Sequence, residues 1–126
     1  MFDFSLITID DKQYTLKFPL SAMLKAERMV GRPLQDIFTP KNKDNIPEFK
    51  LAELVILFRI GIQAEHPSIK ETQADELLML YLQSGESILQ QEMLLYVLLG
   101  KALGFFRVAV DSEGKSTKTL EPKEDR

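Results

Sequence analysis

The sequence predicts a mainly helical α+β fold: an N-terminal β-hairpin packed on a bundle of about four helices, followed by a flexible C-terminal tail. Three observations carry this. Two short segments rich in β-branched and aromatic residues flank Asp10-Asp11-Lys12 near the start, which is a hairpin signal. Apolar residues then recur at helical spacing between glycine and proline stops. Beyond Val108-Ala109-Val110 the chain holds a single large apolar residue, Leu120, so little there can offset the entropy of ordering.

The hairpin segments contain Phe4, Leu6 and Ile9, then Tyr14, Leu16 and Phe18. The second alternates cleanly, which assigns Tyr14, Leu16 and Phe18 to one face and turns Thr15 and Lys17 to water. Such a hairpin is marginal alone, so its apolar face requires a helical layer. Pro19 ends strand pairing and Ser21 is placed to cap a first helix marked by Met23, Ala26 and Val30. Gly31-Arg32-Pro33 stops that helix, because glycine accepts a left-handed C′ position and proline cannot continue. One short turn fits residues 34–38, and the prolines, asparagines and charges of 39–48 form a connecting loop.

In segment 50–63 the run Leu54-Val55-Ile56-Leu57-Phe58 covers almost every direction of a helical wheel, as in a central helix buried on most sides, with Glu53 and Arg59 leaving narrow polar strips. Glu65-His66-Pro67 ends it. Ser68 or Thr72 caps the third long helix, with Asp75 and Glu76 in its first turn and Leu77, Leu78, Leu80 and Tyr81 on its inner face. Ser84-Gly85 closes that helix, and a fourth runs over 86–106. Residues 1–106 thus read as one domain and 107–126 as a polar tail, mobile from about Asp111.

Composition narrows the function classes. The 126 residues are 44% hydrophobic and 28% charged, with a formal charge of −3, which disfavours nucleic acid and anionic membrane as partners. The chain has no cysteine, which removes disulfides, thiolate nucleophiles and cysteine zinc sites together and suits a cytoplasmic setting. No apolar run reaches the roughly 20 residues that span a bilayer, and the alternating N-terminus has no signal-peptide pattern. The one histidine, His66, sits in a loop position and reads as solvated. Ser68, Ser84 and Ser87 lack a nucleophile elbow and are assigned to caps and helix ends. The pairs Asp10-Asp11 and Asp75-Glu76 fit turn chemistry and the helix dipole better than acid–base work. No catalytic residue, cofactor site or metal site is predicted, and an enzyme is not expected. Gly100 and Gly104 share the spacing of close helix contacts, a weak signal in a soluble chain.

One stretch resists a plain reading. Eleven of the fourteen residues in 93–106 are apolar. On the fourth helix, Leu94 and Val97 lie between Gln90 and Lys101 on the side that should face water, and Met79 lies likewise between Asp75 and Gln83. Exposed side chains of this size each forgo roughly 1.5–3 kcal/mol of burial, and a cluster of them marks an interaction surface. Met79, Met93, Leu94, Val97 and Leu98 are the candidate partner-binding residues.

The order of these elements carries a resemblance. A hairpin ending in Tyr14-Thr15-Leu16-Lys17-Phe18 is followed by a helix with Ala26-Glu27, then Gly31-Arg32-Pro33-Leu34. Next come Leu57-Phe58-Arg59-Ile60-Gly61 and a loop with His66-Pro67. Over about residues 4 to 104 this resembles the tail assembly chaperones of long-tailed phages and the related protein of gene transfer agents. The resemblance implies a non-enzymatic protein of the bacterial host cytoplasm. Such a protein coats the long, apolar, helical tape measure protein before the tail tube polymerises, and is absent from the mature virion. It also implies self-association and association with a longer product made by programmed frameshifting. The alternative is a structural minor tail or head-completion protein retained in the particle.

Overall fold

The computed structural model describes residues 4–40 and 42–106; the tail expected over 107–126 lies outside them. The described chain is mainly helical, with a two-stranded antiparallel hairpin at its start. Strands β1 (Phe4–Ile9) and β2 (Lys12–Lys17) pair with Ile7 opposite Tyr14 and Ser5 opposite Leu16. The loop between them is only Asp10-Asp11, and both residues have positive φ (54° and 66°), as a two-residue turn matching the strand twist requires. Aspartate tolerates that conformation better than most side chains.

The register decides the inner face of β1, which the sequence left unassigned. Ile7 and Ile9 are buried with Ser5, while Leu6 turns outward. A one-residue slip would expose both isoleucines. Ser5 is tolerated inside because its hydroxyl donates to the Leu98 carbonyl at 2.8 Å. On the second strand, Leu16 and then Phe18 are buried as the alternation predicts. Thr15 and Lys17, expected in water, are half-buried, because the turn at His66 leans on that edge.

Helix α1 (Leu20–Val30) is preceded by Pro19 at the cap position, without a side-chain cap. Ser21 is therefore inside the first turn and does not cap it. Proline serves at this entrance because it has no N–H to leave unpaired, while its carbonyl accepts from the Met23 N–H at 3.0 Å. The buried face of α1 is Ala22 and Ala26, small enough to bring its backbone close to the helix it packs on. Gly31 (φ 87°) ends it as expected, donating to the Glu27 carbonyl at 2.9 Å. The short turn is α2 (Leu34–Phe38), which drives Leu34, Ile37 and Phe38 into the core.

Helix α3 (Leu51–Glu65) is the central one, packing on β2, α1 and the two helices that follow, α4 (Glu71–Leu82) and α5 (Ile88–Leu103). Its Leu54, Leu57, Phe58 and Ile62 are fully enclosed. Gly61 leaves room for the Phe18 ring, which lies 2.7 Å from where a Cβ would stand. Lys70, not Ser68 or Thr72, precedes α4; its N–H donates to the Gln73 side chain at 2.8 Å. The inner face of α4 is Ala74, Leu78, Tyr81 and Leu82. Leu80 is exposed rather than inward, since two residues of helix, roughly 200°, separate it from Leu78 at the middle of that stripe.

Candidate partner-binding surface

Helix α5 divides into two faces. Ser87 caps it, its hydroxyl accepting from the Gln90 N–H at 3.1 Å, so the helix begins two residues later than the run from residue 86 predicts. Leu95, Tyr96, Leu99, Ala102 and Leu103 point into the core with Gln91. The Gln91 amide is kept satisfied there by donating to the Tyr81 carbonyl and the Ser84 hydroxyl, both at 3.1 Å. Gly104, in a left-handed conformation (φ 90°), ends the helix before Phe105 and Phe106.

The outer face carries the predicted surface. Met93 is 41% exposed, Leu94 47% and Val97 37%, and at helical spacing they form one stripe between Gln90 and Lys101. No described element covers that stripe. Leu89, 74% exposed, extends it by a turn toward the N-terminus. The sequence contains the signal for this, since Leu89 precedes Met93 by four residues.

Two predicted residues do not join the stripe. Leu98 is half-buried and packed against the core. Its carbonyl receives the Ser5 hydroxyl, so it serves the hairpin contact. Met79 is 54% exposed but stands one turn beyond Asp75, on the flank where α4 is tied to α3. Met79 is thus an exposed apolar residue on the Asp75 side of α4.

The charged residues have structural roles. Arg32 forks onto both oxygens of Glu53, at 2.7 and 2.8 Å, and donates to the Glu48 carbonyl at 3.1 Å. Burial works to raise the Glu53 carboxyl, yet the Arg32 fork and the Lys50 N–H together hold it below the usual carboxylate range. Glu53 is therefore a buried, paired charge and not a narrow water-facing strip. Arg59 forks onto Asp75 at 2.7 and 2.8 Å, and that hydrogen bonding lowers the Asp75 carboxyl in the same direction. Asp75 falls past the first turn of α4, so its partner is Arg59 rather than the helix dipole.

His66 is half-buried and held in place rather than simply solvated as its loop position predicts. Its Nε2 accepts from the Thr15 N–H at 3.1 Å, and its ring meets Tyr14 edge-on at 5.6 Å. It pins the outer edge of the hairpin to the α3–α4 turn. Among the described residues no three His, Asp or Glu side chains are grouped as metal ligands, and no helix is long and apolar enough to cross a membrane. The Gly100–Gly104 spacing serves the helix's own end: Gly104 turns the chain and Gly100 makes room for the returning Phe106 ring. The chain matches no known protein family, no curated protein and no solved structure.

Proposed function

We propose that the chain is a tail assembly chaperone of a long-tailed phage or prophage, holding the apolar helical tape measure protein before the tail tube polymerises around it. The observation that carries this reading is the outward stripe of Leu89, Met93, Leu94 and Val97 on α5, exposed on a domain whose polar interior groups are otherwise well paired. A client helix with apolar anchors one turn apart is recognised by a matching apolar helix face. Methionine at the stripe suits a client of varied sequence, because its unbranched side chain adapts to different neighbours. The ordered resemblance of residues 4 to 104 supports the same reading. It needs no reactive side chain, cofactor or metal, only surface that binds and releases.

The test is co-expression with a cognate tape measure protein. The wild-type chain raises the soluble yield of the client severalfold and co-purifies with it. A Leu94→Asp, Val97→Asp chain with unchanged circular dichroism loses both effects. Equal precipitation of the client with and without the wild-type chain sinks the proposal, and recovery of the chain from purified particles favours a structural tail component instead.

A further inference from the structure

The two most exposed large apolar side chains among the described residues, Leu20 and Leu89, stand on different helices with opposite charges around them. Leu20, 70% exposed, and Leu24, 55% exposed, follow one another by a turn on the outer side of α1. Arg28 lies one turn beyond Leu24. Lys25 stands at a groove of about 340 Å³ between α1 and α3, lined also by Ala22 and Ile60. The one acidic residue of α1, Glu27, is already engaged, its carboxylate accepting from the Leu34 N–H at 3.1 Å. At the start of α5, Leu89 is 74% exposed and Ile88 51%. Glu86 precedes them, and Glu92 follows one turn on, where it neighbours both. The single cation of α5, Lys101, stands roughly 20 Å along the helix. Among the described residues, none of Lys25, Arg28, Glu86 and Glu92 makes an ion pair or a side-chain hydrogen bond.

We propose that the start of α5 in one copy of the chain docks on the α1 face of a second copy. Leu89 enters the groove beside Lys25, Ile88 covers Leu20 and Leu24, and Glu86 and Glu92 meet Lys25 and Arg28. Each patch offers apolar side chains beside charges opposite to those of the other, so the apolar contact supplies burial and the charges set its orientation. Helix α1 packs on α3, and both patches face outward from the same core, so they meet only between molecules. Every contact leaves the α1 face of one copy and the α5 start of the other unused. The association therefore runs head to tail and continues, instead of closing as a twofold pair. It takes up the first turn of the α5 stripe and leaves Leu94 and Val97 open, so it does not rest on the client reading and the two fail separately.

Light scattering on the full chain at low salt tests this. From micromolar to millimolar concentration the wild-type mass rises past that of a dimer, and added salt lowers it. Leu24→Asp and Leu89→Asp each keep the wild-type circular dichroism and stay monomeric, because each has lost one of the two faces. Mixed in equal amounts they form a pair and stop there, since the mixture holds one intact face of each kind. Lys25→Glu with Arg28→Glu weakens the association roughly fivefold or more, as two exposed ion pairs allow. Adding Glu86→Lys and Glu92→Lys to that chain restores it. Leu94→Asp with Val97→Asp associates as wild type does, which separates this contact from client binding. A wild-type mass that stays at a monomer or stops at a dimer overturns the proposal. So does a mixture that stays monomeric, a single variant, Leu24→Asp or Leu89→Asp, that associates on its own, or a charge reversal that its counterpart does not rescue.

Discussion

Helices α3 and α5 are both read from the sequence as long, nearly continuous apolar runs, yet the fold treats them differently. On α3 the polar residues are brought into use. Glu53 is buried against Arg32, and Arg59 locks α4 through Asp75. On α5 the polar Gln91 goes inside, while aliphatic Leu94 and Val97 stay outside among Gln90 and Lys101. A helix packed on several sides must pair whatever charge it carries, because an unpaired buried charge costs several kcal/mol. A helix with one open side can keep apolar surface there only at the cost of unburied area, and it is this open side that suits a partner.

The largest effect that would sharpen this contrast is expected at Phe58, fully buried on α3. Phe58→Ala removes a ring from the centre of the core and should lower the unfolding free energy by about 3–5 kcal/mol in denaturant titration. A loss near 1 kcal/mol would mean that α3 is not the enclosed helix described.

Next in size is Arg32→Ala, which leaves Glu53 inside with only the Lys50 N–H, expected to cost about 2–3 kcal/mol near neutral pH. Its pH dependence has a defined sign. The folded Glu53 carboxyl lies below its ordinary value, so the folded state binds fewer protons there than the unfolded chain. The stabilisation is present above the ordinary glutamate range and is lost as pH falls through the folded value. Wild type and Arg32→Ala should therefore converge in stability on acidification, and parallel curves would remove the pair from the account. The Arg59–Asp75 pair is more exposed and contributes less.

The smallest stability effect belongs to the outer stripe. Leu94→Ala should change the unfolding free energy by less than about 0.5 kcal/mol, in the same titration in which Phe58→Ala is severe. A loss of 2 kcal/mol or more would break the comparison, since Leu94 would then be serving the core.

Much of the fold is legible in the residues themselves. Gly31 ends α1 where glycine followed by Arg32-Pro33 demands it, and the alternation of Leu16 and Phe18 fixes the inner face of β2, because these signals act within a few residues. The stripe of Leu94 and Val97 is legible for the same reason: helical phase alone puts them opposite Leu95 and Leu99. Phase also places Leu89 beside Met93 and turns Leu80 away from Leu78 wherever α4 starts. That start was hidden, because hydroxyl caps at Ser68 and Thr72 compete locally with the Lys70 entrance that packing selects.

The sequence alone determined the fold class, the order of elements and the outward apolar stripe on α5, all of which rest on local periodicity and punctuation. Only the tertiary structure decided which groups meet across long chain separations. Arg32 found Glu53, Arg59 took Asp75 from the helix dipole, His66 took the Thr15 N–H, and Leu98 turned to the hairpin. Phe106 settled over Gly100 in the same way, since two residues four apart on a wheel say nothing about a chain that reverses at Gly104. Such pairings depend on where whole elements pack, and burial selects them after the local signals have done their part.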